Sequence, residues 1–230
     1  MGQHFLPGNP PVAITLRKSA QARRISLRIS RLDGRVTLTC PLRTSDREAL
    51  AFAQEKADWL RHHLGDQPAQ SMVAVGGDLP LEGRVLRIAS GPGRLIRAEG
   101  DLLLVPGPPE RAAARLAGFL KQAARDRLAA ASDHYAGLLG RPYTRLSLRD
   151  TRSRWGSCTS DGGLMYSWRL IMAPPEVLRY VAAHEVAHLR EMNHSDAFWN
   201  VVRHLYGDYR ASRRWLREAG GDLHRYRFGD

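Results

Sequence analysis

The segment His184-Glu185-Val186-Ala187-His188 constrains the fold of this chain more than any other feature, because its spacing has a purpose only on an α-helix. Residues four apart on a helix are separated by about 40° around the axis, so both imidazoles project from one face and can hold the same ion. Glu185 is turned by about 100° from His184 and therefore reaches a water on that ion rather than the ion itself. In a chain of this composition the pattern is expected by chance roughly 0.01 times.

The ends of the predicted helix indicate how a third ligand is supplied. Pro174 and Pro175 mark its beginning, since proline in the first turn loses no helical hydrogen bond, and we expect the helix to run from about Pro175 to Met192. Asn193 tolerates the left-handed conformation that is common at helix C-termini, so it predicts a sharp turn that folds His194 back. Two histidines leave Zn²⁺ short of ligands, and His194 is well placed to complete the site.

Other side chains compete for the third position. Glu191 follows the helical stripe of His184, and three further candidates come later in the chain, namely Asp196, His204 and Asp208. The predicted helix is apolar almost all round, and imidazoles buried there are costly unless a metal or hydrogen bonds compensate them. A metal site is therefore the preferred interpretation, while spacing alone leaves its third ligand open.

The composition describes a globular protein with a strongly basic balance. There are 35 Lys and Arg against 23 Asp and Glu, a formal charge of +12, so anionic nucleotides or nucleic acid are candidate partners. The two cysteines, Cys40 and Cys158, are too few for a thiolate metal cluster. No segment approaches the roughly 18 consecutive apolar residues of a membrane span, and the N-terminus lacks signal-peptide features. We therefore expect a cytoplasmic protein with no membrane partner.

Hydrophobic patterning predicts two folded units after a flexible lead-in over residues 1–13. Residues 14–107 are β-rich, and the alternating polarity on both sides of Asp33-Gly34 indicates a hairpin. Later short apolar runs in this unit predict more antiparallel strands. The proline-rich run 106–109 marks the boundary, because proline denies the backbone donors that sheets and helix interiors need.

Residues 108–230 form the second predicted unit. An alanine- and leucine-rich segment over residues 109–139 keeps helical spacing and predicts a long helix. A loop from Trp155 to Gly163 and a strand from Leu164 to Met172 precede the histidine-bearing helix, and a last helix is expected from about Ser195 to Ala219. The predicted fold class is α+β, with a β-rich N-terminal unit followed by helices on a small antiparallel sheet.

Several further motifs surround the histidine pair within residues 154–202. They are the Arg-Trp-Gly-Ser-Cys sequence at 154–158, the Ser-Trp-Arg-Leu-Ile sequence at 167–171, the Ala-Pro-Pro helix start, and the Asn-His-Ser and Phe-Trp pairs that follow HExxH. Together they resemble the YgjP-like metal-dependent hydrolases, relatives of the SprT and WLM zinc peptidases. Weaker similarity extends through the N-terminal unit, so the resemblance covers most of the chain.

This resemblance implies a zincin-like domain and a particular set of site residues. It implies Zn²⁺ as the cofactor, bound by His184, His188 and His194, with Glu185 as the catalytic residue. The chain departs from the metzincins, whose glycine falls at the position of Glu191 here, so a metzincin-type methionine turn is not expected.

The implied chemistry is metal-assisted hydrolysis, in the first place of a polypeptide substrate. Glu185 accepts a proton from metal-activated water and hands it to the leaving group. Candidate donors to the transition state, or contacts with the substrate, are Arg154, Tyr206 and Tyr209. The strand from Gly163 to Met172 is a candidate edge for pairing with an extended peptide, and packing in the core is the alternative interpretation of its apolar side chains.

Two other functions are compatible with the same residues. Zinc-activated water can attack a carbonyl carbon or a phosphorus atom. The arginine-rich stretches of the second unit therefore favour, as one alternative, a nucleotide phosphoanhydride hydrolase of the nucleoside triphosphate pyrophosphatase type. The basic charge also favours a DNA-associated, SprT-like protease module. Hydrolysis of peptides or of nucleotides, and salt-sensitive binding to duplex DNA, separate the three hypotheses.

Overall fold

The computed structural model describes residues 2–30, 34–65 and 70–229, and their fold is α+β, as the sequence predicts. The chain divides into two compact units, Met1–Ala69 and Gln70–Asp230, and each has its own hydrophobic core. Among the helices formed by the described residues, none has both the length and the apolar character needed to cross a membrane.

The first unit is a four-stranded sheet with two helices. Its elements are β1 (Gly2–Leu6), β2 (Val12–Ser19), β3 (Ser26–Ile29), β4 (Val36–Pro41), α1 (Asp46–Glu55) and α2 (Ala57–Gly65). The strand order is β1-β2-β4-β3, in which β2 and β4 are parallel and the other two pairs are antiparallel. Alternate side chains such as Ile14 and Leu38 are buried, so the period-two pattern of the sequence becomes one apolar face.

The predicted hairpin is present as β3 and β4. The two strands are antiparallel, from Ser26 opposite Thr39 to Ile29 opposite Val36. Asp33 of the predicted turn lies outside the described residues.

The first residues of the chain differ from the predicted flexible lead-in over residues 1–13. β1 pairs with β2 from Gly2 opposite Leu16 to Leu6 opposite Val12. Leu6 and Val12 are buried. The pairing thus removes apolar surface from water, a gain that the Pro- and Gly-containing composition of this segment does not reveal.

The second unit contains the remaining elements. Its strands are β5 (Ser71–Met72), β6 (Asp78–Leu81), β7 (Arg84–Ser90), β8 (Arg97–Glu99), β9 (Leu102–Val105), β10 (Arg145–Arg149), β11 (Gly156–Cys158), β12 (Gly163–Ser167) and β13 (Tyr226–Arg227). Its helices are α3 (Ala112–Leu139), α4 (Pro175–Ala187), α5 (Asp196–Tyr206) and α6 (Arg210–Glu218). β5 and β13 form a two-stranded parallel sheet, which joins the beginning of this unit to its end.

The sheet formed by β6 to β9 is mixed, although antiparallel strands were expected here. Its order, β6-β7-β9-β8, and its strand directions repeat those of the first unit. β8 forms an antiparallel hairpin with β9 on one edge of β9, and β7 pairs with the other edge. The chain reverses direction at β8 and again at β9, so β7 and β9 run in the same direction.

The division of the chain falls at Ala69 and not at the proline-rich run 106–109, where the sequence places the boundary between residues 14–107 and 108–230. Leu79 of β6 and Leu103 of β9 are buried in the same core as Leu116 of α3. These apolar contacts join the strands that follow Ala69 to the helical part of the chain. The proline-rich run at 106–109 therefore does not coincide with the boundary between the two compact units.

The region before α4 also differs from the prediction. β11 occupies part of the predicted loop from Trp155 to Gly163, and the predicted strand from Leu164 to Met172 ends at Ser167, where a 3-10 turn over Trp168–Met172 follows. The sheet order is β10-β12-β11, with β10 parallel and β11 antiparallel to β12, so the small sheet is mixed rather than antiparallel. All side chains from β12 through the turn are buried, and a fully buried run has no period that separates strand from helical turn.

The helices at the end of the chain are shorter than predicted. α4 ends at Ala187 rather than near Met192, and the single helix expected from Ser195 to Ala219 is divided into α5 and α6. The division occurs at Gly207, whose φ of 92° and ψ of −141° are accessible to glycine but not to a helix. Both α5 and α6 pack against α4.

A buried arginine connects three segments of the second unit. The side chain of Arg169 is 7% exposed and donates two hydrogen bonds to Asp150, from Nε to Oδ1 at 2.6 Å and from Nη2 to Oδ2 at 3.0 Å. Its Nη1 donates to the carbonyl oxygens of Leu223 at 2.9 Å and Tyr226 at 3.1 Å. One guanidinium therefore fixes the turn after β12 to the end of β10 and to the C-terminal segment.

We expect Arg169→Met to lower the free energy of unfolding by about 3 kcal/mol, because it leaves two carbonyl groups and a carboxylate without their donor. Urea unfolding followed by circular dichroism measures the change. The matched control is Arg145→Met, whose ion pair with Asp161 has side chains that are 61% and 57% exposed and is expected to contribute less than about 1 kcal/mol. Equal losses in the two variants would contradict this role for Arg169.

Candidate metal centre

Three imidazoles converge at the C-terminal end of α4. His184 lies in the last turn of α4, His188 is its C-cap residue, and His194 returns from the segment before α5. One nitrogen of each ring lies within 4.8 Å of the others, and Nε2 of His194 is 3.1 Å from Nε2 of His184. Two nitrogens bound to one tetrahedral Zn²⁺ at roughly 2.0–2.1 Å are about 3.3 Å apart, so this donor set fits such an ion after small side-chain adjustments.

A tight turn follows α4. Nδ1 of His188 donates to the carbonyl oxygen of Glu191 at 2.9 Å, which leaves Nε2 of that ring with a free lone pair. Asn193 does not adopt the predicted left-handed conformation; apart from glycines, Glu82 is the one described residue with positive φ. Instead, Oδ1 of Asn193 accepts a hydrogen bond from the backbone N–H of Ser195 at 3.0 Å, a side-chain turn to which asparagine is suited.

The rival third ligands do not join the cluster. In the part of the chain that the structure describes, the three imidazoles are the one group of His, Cys, Asp and Glu side chains spaced for a shared ion. Glu191 contributes its backbone carbonyl, and Asp196 and His204 are exposed on α5. Asp208 forms an ion pair with Arg210 at 2.7 Å.

Aromatic rings from α5 pack against all three imidazoles. Phe198 is fully buried, and its ring centroid lies 4.4 Å from that of His188, 4.9 Å from His184 and 4.7 Å from His194. Trp199 lies 5.7 Å from His184 and 5.8 Å from His194. This packing restricts the rings and holds them close together before any ion binds. The Phe-Trp pair was part of the sequence resemblance, but its contact with the imidazoles follows only from the three-dimensional arrangement.

Burial keeps the imidazoles of α4 neutral. It lowers the pKa of His184 to about 3, with smaller contributions from repulsion between protonated imidazoles of His184, His188 and His194 and from the charge of Arg213. Burial also lowers the pKa of His188. A neutral imidazole has the lone pair that a metal ion requires. Nδ1 of His184 is buried and has no hydrogen-bond partner among the described residues, so this ring lacks the orienting bond that His188 has.

The carboxyl group of Glu185, the residue that follows His184, lies against β11. Its side chain belongs to a residue that is 6% exposed, and burial raises its pKa to about 8 against the opposing positive charge of Arg154. The backbone of Gly156 lies directly against the carboxyl group, since a Cβ at this glycine would be 2.6 Å from Cγ and from Oε1 of Glu185. Burial, the charge of Glu185 and that of Asp161 raise the pKa of Cys158 to about 11, so its thiol stays protonated at neutral pH.

The two candidate tyrosines have different environments. The hydroxyl of Tyr206 donates to the carbonyl oxygen of Glu176 at 2.9 Å and lies 2.8 Å from Oγ of Ser212, so it is already engaged at the first turn of α4. The ring of Tyr209 stacks on that of Tyr180 with centroids 5.9 Å apart, and its hydroxyl has no hydrogen bond among the described residues. Of the two hydroxyls, that of Tyr209 is free to donate.

Sequence reasoning missed two features of the site. Gly156 was identified only as part of a motif in a loop, and its packing on Glu185 depends on the pairing of β11 with β12. Arg213 was not singled out as a site residue, yet its charge acts on His184. The Gly in the Arg-Trp-Gly-Ser-Cys sequence is the one signal that could have indicated the first feature, because glycine often marks a close approach of the backbone.

Comparison with known proteins identifies related sequences. The YgjP-like, metallopeptidase domain family model matches residues 23–219, a range that includes the three imidazoles and Glu185. Among solved structures, the crystal structure of the metallopeptidase zymogen of Pyrococcus abyssi abylysin is similar to part of the chain. It has 20% sequence identity and a TM-score of 0.36, and the similarity covers 40% of this chain and 95% of that chain. No curated protein matches.

Proposed function

The chain belongs to the YgjP-like metallopeptidase family, and on that basis we propose that it is a zinc-dependent peptidase with Glu185 as its general base. The observation that carries the proposal is the convergence of three imidazoles beside the buried carboxyl group of Glu185 and a short strand, β11, that pairs on one edge alone among the described strands. Each of these three parts has a role in peptide hydrolysis.

The proposed ligands of the zinc ion are Nε2 of His188 and one ring nitrogen each of His184 and His194. The imidazole-only donor set is one that Zn²⁺ accepts, and three protein ligands are typical of catalytic rather than structural sites. When bound, the ion supplies a Lewis acid that acidifies water and polarises a carbonyl oxygen. The protein's contribution is to hold these ligands in place through Phe198 and through the hydrogen bond of His188 to Glu191.

The proposed role of Glu185 is proton transfer. Its carboxylate accepts a proton from the attacking water while the oxygen of that water bonds to the peptide carbonyl carbon. The same carboxyl group then donates this proton to the amide nitrogen as the C–N bond breaks. The products are a carboxylic acid and an amine, which at neutral pH become a carboxylate and an ammonium group. Burial of Glu185 beneath β11 excludes other water from the carboxyl group and keeps its direction fixed.

The proposed peptide-binding edge is β11 rather than the strand expected from the sequence. β12 lies between β10 and β11, so both of its edges are already hydrogen-bonded and it cannot pair with a substrate. Among the described strands β11 pairs with β12 alone, which leaves its other edge for an extended peptide. β11 also contains Gly156, whose backbone touches Glu185. A peptide paired with this strand would therefore lie beside the proposed general base.

Tyr209 is the proposed donor to the oxyanion that forms on the peptide carbonyl. Its ring is held by Tyr180 at 5.9 Å and by Trp199 at 5.0 Å, while its hydroxyl stays available. Tyr206, which the sequence offered for the same role, has its hydroxyl occupied by Glu176 and Ser212. Arg154, whose charge acts on Glu185, remains a proposed substrate contact.

The fit between Gly156 and Glu185 gives a first prediction for activity. We expect Gly156→Ala to lower kcat by about 100-fold with unchanged zinc content, because the new methyl group displaces the carboxyl group from its position and small misplacements cost that much. Steady-state cleavage of a quenched fluorescent peptide and metal analysis measure the two quantities. Gly137→Ala, at a helix position with nothing within 4 Å of the added Cβ, is the matched control and should keep kcat. Unchanged kcat in both variants would contradict a close fit between Gly156 and the catalytic carboxyl group of Glu185.

The function itself is tested by supplying the zinc-loaded protein with competing substrates. An unfolded protein, a mixture of short peptides and nucleoside triphosphates are incubated separately, and new amino termini and released pyrophosphate are measured. The proposal requires amide cleavage that stops when the metal is chelated. Release of pyrophosphate without amide cleavage would instead support the phosphoanhydride hydrolase.

A further inference from the structure

An arginine on α6 is attached to the imidazole cluster through an aromatic ring. The guanidinium carbon of Arg213 lies 4.6 Å from the ring centroid of Trp199. The same indole ring contacts His184 at 5.7 Å and His194 at 5.8 Å. Tyr209 stacks on Trp199 at 5.0 Å and helps to fix the indole in place. Arg213 is therefore held close to the proposed catalytic centre although it is exposed.

A second arginine, Arg154, lies next to β11, a strand that packs against α4. Arg154 precedes β11 by two residues, and the backbone of β11 at Gly156 lies against Glu185. The proposed centre thus has positive charge on two sides.

Some arginines of the second unit are already neutralised by an ion pair. Arg169, Arg145 and Arg210 are each paired with an aspartate. Within the described residues, neither Arg154 nor Arg213 forms an ion pair. Unpaired cations beside a substrate site are available to a negative group of the substrate, whereas paired ones are already satisfied.

The chemistry of the Arg213 guanidinium indicates which negative group it recognises. The guanidinium of Arg213 lies over the ring of Trp199 and forms no hydrogen bond or ion pair with the described residues, so its N–H donors remain free. A planar fork of N–H groups matches the two oxygens of a carboxylate. The contact with Trp199 also restricts the long side chain before a ligand binds, which reduces the entropy lost on binding.

We infer that Arg213, together with Arg154, selects peptides that carry a carboxylate close to the scissile bond. This inference rests on the proposed peptidase function and adds a substrate class to it, namely acidic peptides. The carboxylate is either the side chain of Asp or Glu or the C-terminal carboxylate of the peptide, since both present the same two oxygens. Arg213 is a specificity-determining residue in this account, and it takes no part in proton transfer.

Peptide binding to a hydrolysis-deficient protein tests the inference without depending on turnover. The probe is a neutral, N-acetylated and C-amidated peptide in which a single Gln or Glu is moved through successive positions, together with the neutral peptide bearing a free C-terminal carboxylate. Dissociation constants are measured by calorimetry on zinc-loaded Glu185→Gln protein. We expect the best carboxylate peptide to bind about tenfold more tightly than its neutral counterpart.

The arginine variants are made in the same Glu185→Gln background. Arg213→Gln should reduce the tenfold preference to about twofold or less, and Arg154→Gln should reduce it in part. Arg214→Gln is the matched control, because it removes the same charge from the next position of α6, which has no contact with Trp199 among the described residues, and it should keep the preference. A Glu side chain and a C-terminal carboxylate are distinguished by which peptide shows the preference.

Three results would overturn the inference. They are equal binding of acidic and neutral peptides, equal loss of preference in the Arg213 and Arg214 variants, and no binding of any peptide. Failure of the proposed function would be seen differently, as an absence of amide cleavage by the zinc-loaded wild-type protein in the presence of a measurable binding preference.

Discussion

Replacement of Glu185 by Gln is expected to lower kcat for peptide cleavage by at least about 10³-fold while zinc remains bound. The amide has nearly the shape of the carboxyl group but can neither accept the proton of the attacking water nor deliver it to the leaving nitrogen, and a general base contributes about 10² to 10⁴ in rate. Glu185 is not one of the three clustered imidazoles, so the metal site keeps its ligands. Rates from a quenched fluorescent peptide and zinc content from elemental analysis, on the same preparations, give both numbers.

The matched control for this variant is Glu191→Gln. Glu191 lies close by in sequence, and it contacts His188 through its backbone carbonyl, which the substitution does not alter. We expect this control to keep kcat within about threefold of the wild type, since the half-buried side chain is replaced by one of nearly the same shape and the backbone contact is kept. A Glu185→Gln protein that retains full activity with zinc bound would contradict the role assigned to this carboxyl group.

Replacement of His194 by Ala is expected to weaken zinc binding by about 10³-fold. The change removes one of three protein ligands, a greater loss than the 10- to 100-fold that follows from disturbing residues around a ligand. His194 is exposed, so its removal leaves no cavity in the hydrophobic core. Competition with a fluorescent zinc chelator measures the affinity, and peptide cleavage should disappear at zinc concentrations that saturate the wild type.

The control for this prediction is His204→Ala. His204 is likewise exposed and lies on α5, but it is not part of the imidazole cluster. Zinc affinity and activity should both stay close to the wild-type values. If the two alanine variants bind zinc with the same affinity, His194 is not a ligand and the third position must be sought elsewhere.

The local features of the site could be predicted from the sequence because they depend on helical geometry alone. The spacing of His184 and His188 places both rings on one face of any helix, and Pro175 marks the beginning of α4 in the sequence and in the structure. His194 was expected to fold back, and it does, with Nε2 3.1 Å from that of His184. The mechanism of the turn was wrong, because the backbone of Asn193 does not become left-handed and its side chain forms the turn instead.

Features that depend on contacts between distant segments could not be predicted. The register of β11 against β12 determines that Gly156 touches Glu185, and no local pattern encodes this pairing. The mixed character of the two four-stranded sheets could not be predicted either, because each parallel pair, β2 with β4 and β7 with β9, joins strands that have another strand between them along the chain. The contact of Arg213 with Trp199 requires the break at Gly207, and one glycine in a helical pattern is not sufficient evidence for a break.

The measurement that tests the central claim most directly is the metal content and metal-dependent stability of gently purified protein. Elemental analysis should find close to one zinc ion per chain in the wild type and far less in the His194→Ala variant. Removal of the ion by a chelator should lower the wild-type melting temperature, and added zinc should restore it, because a ligand at 1,000 times its Kd stabilises the folded state by about 4 kcal/mol. A wild-type protein that contains no transition metal, and whose melting temperature does not respond to zinc, would contradict the assignment of these three imidazoles as a metal centre.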